Sequence, residues 1–149
     1  MLVRDLMTRD VKTLLAVDRL DVVDDLMRLG RIRHLPVVTA DARVVGIVSQ
    51  RDLFRAAVSS VLEFDRGAER DWFAKIPVAT VMTTDVITIA PDAPIRAAVE
   101  LMLARRIGCL PVVEDGRLVG LVGETDCLRH LAHVLAIYET RDALPELPG

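Results

Sequence analysis

The heptapeptide Gly46-Ile47-Val48-Ser49-Gln50-Arg51-Asp52 holds the residue types best spaced for chemistry. A glycine and a short apolar strand lead into a hydroxyl, and a carboxylate follows three residues later at the start of a helix. Such a strand end carries Ser49 and the first-turn amides to an edge where the helix dipole favours a phosphate. An ionised Asp52 accepts from two neighbouring hydroxyls, such as the 2′ and 3′ hydroxyls of a ribose. The same four residues also read as a plain capping box, with Ser49 as N-cap and the acid at the third helical position. The acid recurs in Gly120-Leu121-Val122-Gly123-Glu124-Thr125-Asp126, with glycine where the hydroxyl belongs and Thr125 as a candidate substitute.

The elements that position these residues recur with them. Met7 to Arg55 repeats as Met82 to Arg129: Met7-Thr8 matches Met82-Thr83, and Leu35-Pro36-Val37-Val38 matches Leu110-Pro111-Val112-Val113. A unit this short cannot bury enough surface alone, so the copies are expected to pack together, with clefts at their seam. In each copy a β-branched run, Val11 to Leu14 or Val86 to Ile89, predicts a strand. Apolar residues at helical spacing follow: Leu20, Val23, Leu26, Met27 in one copy and Ile95, Ala98, Leu101, Met102 in the other. Asp18 and Asp92 are the expected N-caps, Pro94 suits a first helical turn, and Gly30 marks a helix stop. Leu35–Val38 and Val44–Val48 predict a hairpin, which the second copy closes with the tight turn pair Asp115-Gly116. Second helices are expected from about Arg51 and Thr125. The reading divides the chain into a first motif over 1–60, a helical connector over 61–77 with the only Trp, Trp72, a second motif over 78–135, and a tail over 136–149 that frays from Leu144.

Composition excludes several classes. Hydrophobic residues make up 52% and aromatics 3%, so the core is aliphatic. A net charge of −3 argues against nucleic acid. No apolar run approaches the roughly 20 residues of a membrane span, and the charged N-terminus lacks a signal peptide. Cys109 and Cys127 have no paired-thiol spacing, which predicts a reducing, cytoplasmic location. Neither a G-x-x-x-x-G-K-[ST] loop nor a nucleophile elbow occurs, and no serine has a general base beside it, so no enzyme is expected. His130 and His133 share a helical face with Asp126 near Cys127, a pattern more often solvated than metal-binding, and no metal site is assigned.

With Met-Thr near the start of each copy, Leu-Pro-Val-Val in the middle and Gly-apolar-apolar-(Ser/Thr)-x-x-Asp at the end, the chain resembles the paired cystathionine-β-synthase (CBS) domain, or Bateman module, over residues 3–57 and 78–131. The resemblance implies an α/β (α+β) fold of two pseudo-twofold β-α-β-β-α units. It also implies a regulatory adenosine-containing ligand, AMP, ADP, ATP or S-adenosylmethionine, in place of a resident cofactor. One cleft would combine Ser49, Arg51 and Asp52 with Thr83, Val86, Ile87, Gly108, Cys109 and Leu110. A second would combine Gly123, Thr125 and Asp126 with Thr8, Val11, Lys12, Arg33, His34 and Leu35. In that picture, backbone groups near Val86-Ile87 and Cys109-Leu110 read the adenine edge. Because Gly123 lacks a hydroxyl, the Asp52 cleft is expected to bind more tightly. Apolar helical faces around Leu53-Ala57-Val61 and Leu128-Leu131-Leu135 predict a homodimer. The alternative is a dimerisation or docking module with empty clefts, and the regulated protein is unknown from sequence.

Overall fold

In a computed structural model that describes residues 1–58 and 66–141, the two copies build the same unit. In the first, helix α2 (Leu20–Gly30) buries Leu20, Val23 and Met27, the i, i+3, i+7 stripe that its sequence offers. It ends with Arg31 in the left-handed region at φ 51°, one residue past Gly30. Strands β1 (His34–Val38) and β2 (Val44–Ser49) pair antiparallel with His34 opposite Ser49, and α3 (Gln50–Val58) follows directly. In the second copy α5 (Ile95–Arg105) leads into β3 (Cys109–Glu114), β4 (Arg117–Gly123) and α6 (Glu124–Thr140). The β3–β4 turn takes φ 51° at Asp115 and 78° at Gly116, the two positive values a tight hairpin turn needs. α6 runs on past position 135 without a break.

Three expectations need correction. The strands expected over 11–14 and 86–89 shrink to single parallel bridges, Leu14 with Val37 and Ile89 with Val112. β-branched residues suit a strand, but these segments meet β1 and β3 at one residue only. Asp18 and Asp92 are not N-caps. Asp18 instead accepts the Leu15 N–H at 2.8 Å in a turn, and the caps are Arg19 and Pro94, neither making a side-chain cap bond. Leu53 is buried and Ala57 packs against the core, so that face of α3 is not free for a partner, while Val61 lies outside the described residues.

The connector contributes α4 (Arg66–Phe73), which buries Phe73 and sets the Trp72 indole N–H 3.3 Å from the Ala56 carbonyl. The tail from Leu144 lies outside the described residues. Between the copies, the segments leading into each unit are exchanged. Val78 opens a 3₁₀ turn (Val78–Thr80) that leads into the second copy, yet it is buried in the first core with Leu14, Leu20, Val23, Leu35, Val37 and Val48. Val3, in the short helix α1 (Val3–Leu6), is buried in the second core with Ala98, Met102, Leu110, Val112 and Val122. The backbone follows: Val78 N–H donates to Asp18 O at 2.7 Å, and Val3 N–H to Ala93 O at 2.9 Å. Thr83 then pairs with Ile47 through two bonds of 2.9 and 3.0 Å, as Thr8 does with Leu121 at 2.8 and 2.9 Å. Gly46 and Gly120 permit this approach, since a Cβ at either would come within 2.6 Å of the Met82 or Met7 sulfur and about 3 Å from the carbonyl of Thr83 or Thr8. Among the described residues no helix is long and apolar enough to cross a membrane.

Candidate functional site

The helix start singled out by sequence is a capping box. Asp52 Oδ2 accepts the Ser49 N–H at 2.7 Å and the Ser49 hydroxyl at 2.9 Å, while the Asp52 N–H donates to Ser49 Oγ at 3.2 Å. The cap leaves Oδ1 of Asp52 without a hydrogen bond among the described residues. The cap and a ligand-facing carboxylate are therefore compatible, because each uses a different oxygen. In the second copy Asp126 Oδ2 takes only the Gly123 N–H at 2.9 Å, and its Oδ1 lies 4.0 Å from the Arg129 guanidinium. Thr125 is exposed and its hydroxyl makes no hydrogen bond among the described residues, so it does not replace the missing hydroxyl. A Cβ at Gly123 would sit 3.1 Å from the Gly108 carbonyl, a tight fit for any side chain.

Asp52 faces a cavity of about 810 Å³ whose walls come from both copies. The first supplies Arg33, His34, Ile47, Ser49, Gln50, Arg51, Phe54 and Arg55; the second supplies Thr83, Asp85, Val86, Ile87, Arg106, Ile107, Gly108, Cys109, Pro111 and Glu124. Eight of the nine residues expected for the main cleft are thereby brought together. Leu110 is the exception, fully buried in the second core with its side chain turned from the cavity. The residues expected for the second cleft do not share one of the two cavities described. Arg33 and His34 belong to the large cavity, because antiparallel pairing sets His34 opposite Ser49 and joins Gln50 N–H to Arg33 O at 2.8 Å. Leu35 is fully buried core. Val11 lines a separate hollow of about 150 Å³, while Thr8, Lys12, Gly123, Thr125 and Asp126 line neither.

Sequence reasoning missed Arg55, Asp85, Arg106 and Glu124. The repeat held a signal for Glu124 alone, which aligns with Gln50 on the same cavity wall. The electrostatics follow from burial and neighbours. His34 has its pKa lowered chiefly by burial, against the pull of Glu124 and Asp52 in the opposite direction. Burial pushes the Cys109 thiol up to about 12, which makes it an unreactive wall of the cavity. Val86 and Ile87 present both side chains and unpaired backbone: neither their N–H nor C=O groups make a hydrogen bond among the described residues. A flat heterocycle between these apolar side chains would find donors and acceptors at its edge. Among the described residues no group of three or more His, Cys, Asp or Glu is placed to hold a metal ion.

The sequence profile of the CBS domain matches residues 3–59 and 78–133. The chain belongs to the CBS domain family. Its CBS pair is 33% identical over 135 residues to a CBS domain-containing protein of Dictyostelium discoideum, covering 90% of this chain and 93% of that one. A crystal structure of a Vibrio cholerae protein named for acetoin utilization superposes with a TM-score of 0.78 at 36% identity, covering 97% and 98% of the two chains. The CBS domain pair of protein MJ0100, solved with 5′-methylthioadenosine and S-adenosyl-L-methionine, superposes with a TM-score of 0.76 at 25% identity over 90% of this chain and 98% of that one.

Proposed function

We propose that this chain is a regulatory sensor that binds one adenosine-containing ligand, an adenine nucleotide or S-adenosylmethionine, in the cavity between its CBS motifs. The observation that carries the reading is a single cavity of about 810 Å³ walled by both copies, with the Asp52 carboxylate at its edge. That volume lies within the roughly 300–1,000 Å³ of small-molecule sites. Oδ1 of Asp52 is the acceptor for the ribose hydroxyls. Val86 and Ile87 flank the base, with Ile107 and Pro111 as further apolar walls. Gly108, with no side chain, and Cys109, with a small one, leave room for the ring. The MJ0100 pair, with two adenosyl compounds in its crystal, supports the ligand class.

A sensor needs something to report to. The reading therefore includes an unidentified regulated protein in the cytoplasm and a homodimer. The dimer is supported by α6, where Leu128, Leu131 and Leu135 stand 63%, 49% and 41% exposed on one face. That face also favours the second reading, a dimerisation or docking module that binds no nucleotide. Calorimetric titration with AMP, ADP, ATP and S-adenosylmethionine separates the two. Saturable heat with at least one ligand is expected. No binding to any of them at millimolar concentration, from a protein that still self-associates, leaves the docking module.

A further inference from the structure

We infer that the cavity is built around the phosphates of its ligand, so that it selects phosphorylated adenine nucleotides over S-adenosylmethionine and uncharged adenosine. The inference rests on the adenosyl-ligand reading above and refines it. Arg33, Arg51, Arg55 and Arg106 all line the one cavity, and none makes an ion pair or side-chain hydrogen bond among the described residues. The acids facing them are Asp52, Asp85 and Glu124. Four guanidiniums against three carboxylates leave one positive charge in excess, with His34 neutral.

One of the acids is also partly committed, since Asp52 holds the Ser49 cap through one oxygen. The positive charge is uneven: Arg33, Arg51 and Arg55 come from the first copy, whose cavity wall carries only one acid. A guanidinium presents parallel donors that match phosphate oxygens in pairs. A sulfonium ligand would bring another positive charge to this wall, and adenosine would leave it unanswered.

Arg106 supplies a second observation. It sits at φ 54° just past the end of α5, a left-handed position that glycine fills without strain. Arg31 occupies the equivalent position after α2 at φ 51°, but only Arg106 lines the cavity. The pair separates a backbone effect from a ligand contact.

Titration of the full chain with ATP, ADP, AMP, adenosine and S-adenosylmethionine tests the inference. At least one nucleotide should bind tenfold or more tightly than adenosine or S-adenosylmethionine, since a charge-assisted hydrogen bond is worth about one decade or more. Arg33→Ala should lower affinity for that nucleotide by about tenfold and leave adenosine affinity nearly unchanged. Arg31→Gly and Arg106→Gly should shift the melting temperature alike, whereas only Arg106→Gly should weaken the nucleotide. Adenosine or S-adenosylmethionine binding as tightly as the nucleotides would overturn the phosphate inference and leave the adenosyl reading standing. Equal loss of nucleotide affinity in the two glycine variants would overturn it as well. Failure of all five ligands would remove the adenosyl reading itself.

Discussion

Asp52 combines two jobs that a sequence motif cannot separate. One oxygen closes the helix cap and the other makes no hydrogen bond among the described residues at a position that lines the cavity, so removing the carboxylate should change stability and binding together. Asp52→Ala is expected to cost about 1 kcal/mol in urea unfolding through the lost cap and to lower nucleotide affinity at least tenfold. Asp126→Ala should cost a similar cap energy yet leave affinity nearly intact, because Asp126 does not line the cavity. Calorimetry showing the opposite order would overturn the site assignment. His34 gives a pH signature. Its folded pKa lies below the ordinary 6.5, so the unfolded chain binds more protons between the two values. Stability contributed by the neutral ring is therefore full above 6.5 and falls as pH drops towards the folded value. Unfolding free energies measured across that window should show a slope that His34→Gln removes. Asp25 and Asp41 act lower: Arg70 lowers the first, and Thr39 with Arg43 the second, so their stabilisation is lost only as pH falls through the acid range below 3.8. At this scale the sequence made Ser49 and Asp52 legible because strand, hydroxyl and acid are contiguous. It misplaced Arg33 and His34 because their neighbours are set by hairpin register rather than by chain order.

Helices and hairpins were legible because each carries its own signal: a 3.6-residue apolar stripe in α2 and α5, and a turn pair at Asp115-Gly116. The segments over 11–14 and 86–89 were overread. Strand propensity describes a side chain's fit to a pleated surface, and it does not supply a partner. In the proposed site, the backbone groups of Val86 and Ile87 that this leaves unpaired are the ones that would meet the edge of the base. α6 carries the prediction that belongs to elements. Its exposed Leu128, Leu131 and Leu135 recur at i, i+3 and i+7, the spacing of one helical face. Sedimentation equilibrium at micromolar protein should give a species of twice 16.4 kDa. Leu131→Lys should return it to the monomer mass without shifting the far-ultraviolet spectrum. A wild-type chain that sediments only as 16.4 kDa would remove the dimer from the proposed function.

The duplication told how many units there are, but not that each unit's leading segment lies in the other's core. That exchange is a matter of long-range packing, to which local periodicity is blind. It also gives Met-Thr and the strand glycines their purpose, since Met7-Thr8 clasps Gly120-Leu121 while Met82-Thr83 clasps Gly46-Ile47. Cores linked in this way should unfold as one. Val3→Ala removes buried methyl groups from the second core and is expected to cost about 1–3 kcal/mol. Trp72 reports on the first core, against which it packs. The Trp72 fluorescence transition should nonetheless move to lower urea by the same amount as the circular dichroism transition. Two separated transitions would show that the copies are independent. The exchange also bears on how such a chain could arise. A protein with one copy would have only its partner's leader to complete its core, so it would persist as a pair of chains trading leaders, and only above a threshold concentration. Joining two copies in one gene replaces that threshold with the millimolar effective concentration of a short tether. The module then stays assembled however dilute the cell makes it.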